Sequence, residues 1–197
     1  VNGVQLAIHA MDMLRQQVRP ESRIGTWIIN GGTASNVIPA TGELEVTVRH
    51  TERDYLNGLS EQIKKIFEGA ALCTGTTVDV EFYGNPYDDM NQNHRGTHLI
   101  EDVMADMGLD FEPGPADIGG SSDIGNVSYQ CAAFHPKLRL AGPDKVCHAK
   151  EFADAMLEPT IEQTILDGAN IIGRTLLCLV ETPDILQEIV AEFNATK

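Results

Sequence analysis

At 197 residues the chain is long enough for one large domain or two small ones. Its hydrophobic fraction of 42% and charged fraction of 22% are those of a folded globular protein rather than a disordered one. A formal net charge of −15 argues against nucleic acid or an anionic membrane as partner, since both would repel it.

No apolar run reaches the roughly 18 residues of a membrane span, and the first residues do not read as a signal peptide. Cys73, Cys131, Cys147 and Cys178 are scattered without a C-x-x-C pair, which points to reduced thiols and a cytoplasmic protein. The chain opens at Val1 with a helical pattern and no initiator Met, so the expectation is that part of a longer protein is in hand.

Val4, Ile8, Met11, Leu14 and Val18 recur at helical spacing, with Asn2 as a candidate cap and Pro20 as a stop. Ile24 to Asn30, rich in β-branched and aromatic residues, predicts a strand. Gly31-Gly32 and Asn36-Val37-Ile38-Pro39 then make a turn-rich connection. In Glu43 to Arg49 the apolar Leu44, Val46 and Val48 alternate with polar residues, which predicts a strand with one buried face and Arg49 on the other.

Leu56, Leu59, Ile63, Ile66 and Ala70 mark a second amphipathic helix. Val78, Val80 and Phe82 alternate again and predict a third strand, ending at Gly84-Asn85-Pro86. The order α-β-β-α-β is one strand short of the split β-α-β-β-α-β arrangement. The missing strand belongs before Val1.

Beyond Pro86, where a domain boundary is expected, residues 91–107 form a helix candidate that Gly108 stops. A Gly-, Pro- and Ser-rich stretch runs from Phe111 to Ala149. Ile161, Ile165, Ala169, Ile172, Leu176 and Val180 form an apolar helical stripe, and after Pro183 a last helix carries Leu186, Ile189, Val190 and Phe193.

Two loops in this second part could carry chemistry. Gly119 to Asn126 combines small residues and hydroxyls, a composition that exposes backbone N–H groups to a carboxylate or phosphate, although a plain turn has the same composition. It is not a P-loop, because no Gly-Lys-Ser/Thr follows. The stretch Val146 to Phe152 places His148 at the entry to a helix, where a neutral imidazole could ligate a metal; His135 is a weaker candidate of the same kind. Neither H-x-D nor H-E-x-x-H occurs, so most co-ligands of any such metal are expected in an N-terminal part before Val1.

Several of these stretches together, and in order, resemble the dinuclear zinc aminoacylase/carboxypeptidase-like exopeptidases. Asn30 to Arg49 is similar to their lid or dimerisation domain. Gly120-Ser121-Ser122-Asp123, His135-Pro136 and His148-Ala149-Lys150-Glu151-Phe152 resemble the branch that includes aminobenzoyl-glutamate hydrolases and related dipeptide amidohydrolases.

The resemblance implies an α+β lid of truncated ferredoxin-like form at residues 1–86, its first strand missing. Residues 87–197 would then be the C-terminal part of an α/β zinc-exopeptidase catalytic domain. It implies hydrolysis of the amide bond of a small acylated amino acid or dipeptide by zinc-activated water, with two zinc ions in the full enzyme and a homodimer formed through the lid.

By the same comparison His148 is a metal ligand. Asn36 and Arg49 reach a substrate carboxylate or oxyanion in the facing subunit, and Gly120, Ser121 and Ser122 hold the substrate's terminal carboxylate. The general base and the early metal ligands have no counterpart here, so the isolated chain is expected to be inactive. Ser122 departs from relatives that carry an acidic residue at that place. The alternative reading is a non-catalytic dimerisation module, or one that binds a small anion or amino acid without metal.

Overall fold

The computed structural model describes residues 1–114, 120–140 and 147–196. The chain divides into two compact units, Val1–Asp89 and Met90–Lys197. It is a mixed α/β chain, mostly helical, with one two-stranded antiparallel sheet among the described residues.

The first unit runs α1 (Asn2–Leu14), β1 (Arg23–Asn30), β2 (Glu43–Arg49) and α2 (Arg53–Thr74). Asn2 is the first helical residue rather than the cap, a position that Val1 occupies without a side-chain bond. Helix α1 stops at Leu14, short of Val18. Both strands form as expected, paired from Arg23↔Arg49 to Asn30↔Glu43, with an irregularity between Ile28 and Asn30.

Alternation along the strands sends Ile24, Leu44, Val46 and Val48 into a core with Met11 of α1 and Leu59 and Ile63 of α2. Both helices therefore cover one face of the sheet. Gly75 ends α2 in the left-handed region, at φ 66°, where a Cβ would be strained.

The expected third strand is not formed. Residues 76–83 have no regular structure, and Val78, Val80 and Phe82 are exposed. The physical reason lies in pairing. In a split arrangement each β-α-β unit is interrupted by a strand of the other, so the last strand borders only the first, and no strand precedes α1 among the described residues. An apolar-polar alternation cannot by itself satisfy backbone N–H and C=O groups. The segment rests instead on α2, with the Lys64 ammonium 4.8 Å from the centre of the Phe82 ring.

The second unit contains α3 (His94–Asp106), two short helices, α4 (Ile124–Ser128) and α5 (Lys150–Asp154), and the longer α6 (Thr160–Glu181) and α7 (Pro183–Ala195). Ile100 and Met104 of α3 pack on Ile171 of α6, with Phe134 and Leu138 closing the cluster. The expected α6 stripe is corrected here. Ile161 is buried, but Ile165, Ile172, Leu176 and Val180 are 58–77% exposed, because the face that packs inward is the one carrying Ile171 and Thr175. A helix apolar on more than one face has more to bury than its described neighbours cover.

Helix α7 is tied to the start of α3 by polar bonds. The buried Asn93 side chain accepts from the Gly96 N–H at 2.9 Å and donates to the Ile189 carbonyl at 2.9 Å. The Glu192 carboxylate accepts from the N–H groups of His94 and Arg95 at 2.9 and 2.8 Å. Partial burial pushes the Glu192 carboxyl up, but the Arg95 and His94 N–H groups and the nearby histidines outweigh it and hold the group below the ordinary carboxylate range.

A carboxyl depressed in the folded state contributes stability that is present above its unfolded value and lost as pH falls through its folded value. Urea unfolding should therefore give a larger loss of stability between neutral and acid pH for the parent protein than for Glu192→Gln, which cannot titrate. Equal losses would remove Glu192 from the acid response.

Candidate functional site

In the first unit the loop between β1 and β2 is shaped by its own base. The Asn30 carboxamide oxygen accepts from the Gly32 N–H at 3.0 Å. Gly32 has φ 111°, and a Cβ there would collide with Cγ of Pro39, so both the conformation and the packing require glycine. Asn30, Gly32, Thr33, Ile38, Pro39 and Thr41 are among the residues that line a recess of about 310 Å³. Asn36 lies exposed at the loop's turn, beside the exposed Val37 and Ile38.

Arg49 ends β2 on the outward sheet face and is exposed. Five residues of strand lie between it and Glu43 at the loop end, and the six steps span roughly 20 Å at the strand rise. Asn36 lies in the loop that precedes one end of β2, and Arg49 closes the other end.

A stack of rings steadies the Arg49 end. The His50 and Tyr55 rings lie 4.2 Å apart, and the Arg19 guanidinium sits 4.4 Å from the Tyr55 ring centre. Arg19 also pairs with Glu52 at 2.7 Å, and the Glu52 N–H donates to Nδ1 of His50 at 2.9 Å. None of these residues announces itself in the sequence, because the stack joins the α1–β1 connection, the residue after β2 and the start of α2.

In the second unit Gly120, Ser121 and Ser122 lead into α4, and Ser122 Oγ accepts from the Ile124 N–H at 3.4 Å in a local turn. Gly119 and Val146, which the two loop motifs also include, lie outside the described residues. His148 is exposed at φ 71°, two residues before α5, and His135 is exposed as well. Among the described residues no three His, Cys, Asp or Glu side chains converge to hold a metal ion. The described donors thus do not by themselves form the two-zinc centre that the resemblance implies, to which His148 could supply one ligand. Nor is any helix among them long and apolar enough to cross a membrane.

Residues 1–72 match the peptidase dimerisation domain family, which accounts for the first unit up to the end of α2. Beyond that domain the chain shows distant homology to hydrolases. It is 29% identical over 200 residues to a mouse Xaa-Arg dipeptidase, covering 98% of this chain and 46% of that protein. It is 30% identical over 115 residues to an N-acetyldiaminopimelate deacetylase of Leuconostoc citreum, covering 57% of this chain and 30% of that one. Over 83 residues it is 31% identical to one of the polypeptides of the p-aminobenzoyl-glutamate hydrolase of Escherichia coli, covering 42% of this chain and 17% of that one. The chain spans about half the length of the Xaa-Arg dipeptidases it matches.

Proposed function

We propose that this chain is the part of a metal-dependent amidohydrolase or peptidase that carries the lid and the C-terminal segment. The whole protein would hydrolyse the amide bond of a small acylated amino acid or dipeptide. The observation that carries this reading is the homology to Xaa-Arg dipeptidases along 98% of the chain, which continues well past the dimerisation match at residues 1–72.

In this reading the first unit pairs two copies into a homodimer, and Asn36 and Arg49 reach a substrate carboxylate or oxyanion in the facing subunit. Gly120, Ser121 and Ser122 receive a terminal carboxylate. His148 contributes one ligand to a zinc centre whose other ligands and general base lie outside residues 1–197, so this chain's own residues bind and orient substrate. A cytoplasmic setting, in keeping with four unpaired cysteines, is part of the same reading.

The test is turnover of N-acyl amino acids and dipeptides. The purified chain should show none, with or without zinc, whereas the metal-loaded product extended through the coding sequence upstream of Val1 should hydrolyse at least one. Turnover by the chain itself would overturn the division of labour. An inert extended product would overturn the hydrolase reading and favour a non-catalytic dimerisation or small-anion-binding module. The dimerisation-domain match at residues 1–72 suits that second reading as well.

A further inference from the structure

Helix α3 opens with two exposed histidines, His94 and His98, in the sequence His-Arg-Gly-Thr-His. Residues four apart on a helix share one face, with Cβ atoms roughly 6 Å apart. At that spacing two imidazoles can reach one metal ion. We propose that His94 and His98 form a two-histidine site for a borderline divalent cation, zinc foremost, with Glu101 as its positioning residue. Water completes the coordination shell, since the described residues bring no third protein ligand to the pair.

The His98 ring is set for ligation by its neighbours. Its Nδ1 lies 2.9 Å from Oε2 of Glu101, about one turn further along the helix. A carboxylate only accepts, so Nδ1 carries the proton and Nε2 of the neutral ring keeps its lone pair. Nε2 then faces away from Glu101, and His94 lies one turn back, on the far side of His98 along the helix. Glu101 is itself fixed. Its Oε1 accepts from the Gly114 N–H at 2.8 Å, and its side chain is 17% exposed. Such a carboxylate behind a histidine orients a ligating imidazole and raises its basicity. Among the described residues no other hydrogen bond occupies this Nε2 or the ring nitrogens of His94.

The start of a helix disfavours a cation, and here Glu192 offsets that. Its carboxylate takes the N–H groups of His94 and Arg95 at 2.9 and 2.8 Å, and its charge acts on both imidazoles. Arg95, the cation between the histidines in sequence, is paired with Glu188 at 2.5 Å. The net charge of −15 adds attraction at longer range. Two imidazole nitrogens select zinc, nickel or copper over magnesium and calcium, which take shells of oxygen.

The experiment is an NMR titration of the intact chain with zinc chloride at constant pH, with magnesium chloride as the oxygen-seeking control. Zinc should shift the amides in the first two turns of α3, and magnesium should not. His94→Ala and His98→Ala should each weaken that response by roughly tenfold or more, because one imidazole alone loses the chelate. Glu101→Gln keeps both histidines and removes the carboxylate behind one. It should weaken binding by about tenfold and move the His98 ring nitrogen shifts away from the Nδ1–H tautomer. His148→Ala should leave the α3 response unchanged. A parent chain whose α3 amides ignore zinc overturns the inference, as does a response that survives either α3 histidine substitution or is lost with His148→Ala. Parent-like binding and ring shifts in Glu101→Gln would remove the positioning role. The hydrolase reading is judged separately by turnover of the extended protein, so either can fail alone.

Discussion

Replacing Gly96 with alanine is expected to destabilise the second unit by about 1–3 kcal/mol, against the usual gain for removing a helical glycine. Gly96 is buried in the first turn of α3, and the Phe134 ring packs against it. A Cβ at this position would collide with Cε1 and Cζ of the ring and stand 2.7 Å from Cδ1. The ring belongs to the cluster of Ile100, Met104 and Ile171, so it cannot move without opening that core.

Gly69 in α2 supplies the contrast. Nothing lies within 4 Å of a Cβ built there, and Gly69→Ala should stabilise by about 1 kcal/mol. Urea midpoints of the two variants should move in opposite directions. A stabilised Gly96→Ala would mean that the Phe134 contact is not made in solution.

Asn93→Ala should cost about 2–4 kcal/mol, the sum of a lost helix cap and a stranded carbonyl. Asn93 is 3% exposed, and its side chain bonds both the Gly96 N–H and the Ile189 carbonyl. Alanine leaves both groups without that partner in a place water does not reach. Asn93→Asp keeps the cap acceptor and loses the donor to Ile189. It should therefore hold α3 while loosening α7, visible as faster hydrogen exchange confined to α7 amides. Uniform exchange across both helices would show that the two bonds act as one unit. Because Gly96 supplies the capped N–H, the Asn93 and Gly96 substitutions should not be additive.

Local pattern was legible from the residues alone, and for identifiable reasons. Glu43 to Arg49 alternates cleanly because one face is buried and one is not, and β2 spans those residues. Helices α2, α3, α6 and α7 form where apolar spacing marks them, and Gly75 and Gly108 take the left-handed geometry that follows a helix. Arg49 was legible as a polar-face residue at a strand end. The glycines and Pro39 likewise marked the loop that now shows a tight Gly32–Pro39 contact.

What a pattern means depended on partners that sequence spacing does not contain. Val78, Val80 and Phe82 have strand periodicity but no strand beside them, and hydrogen bonds rather than alternation make a sheet. The α6 stripe has helical periodicity, yet packing chose the neighbouring face with Ile171. Arg23 is one charge among many until the register sets it against Arg49. Residue order thus determined where helices, strands and turns could form, because those depend on neighbours a few positions away. Only the tertiary structure decided which faces are covered and which charges meet, because those depend on residues distant in the chain.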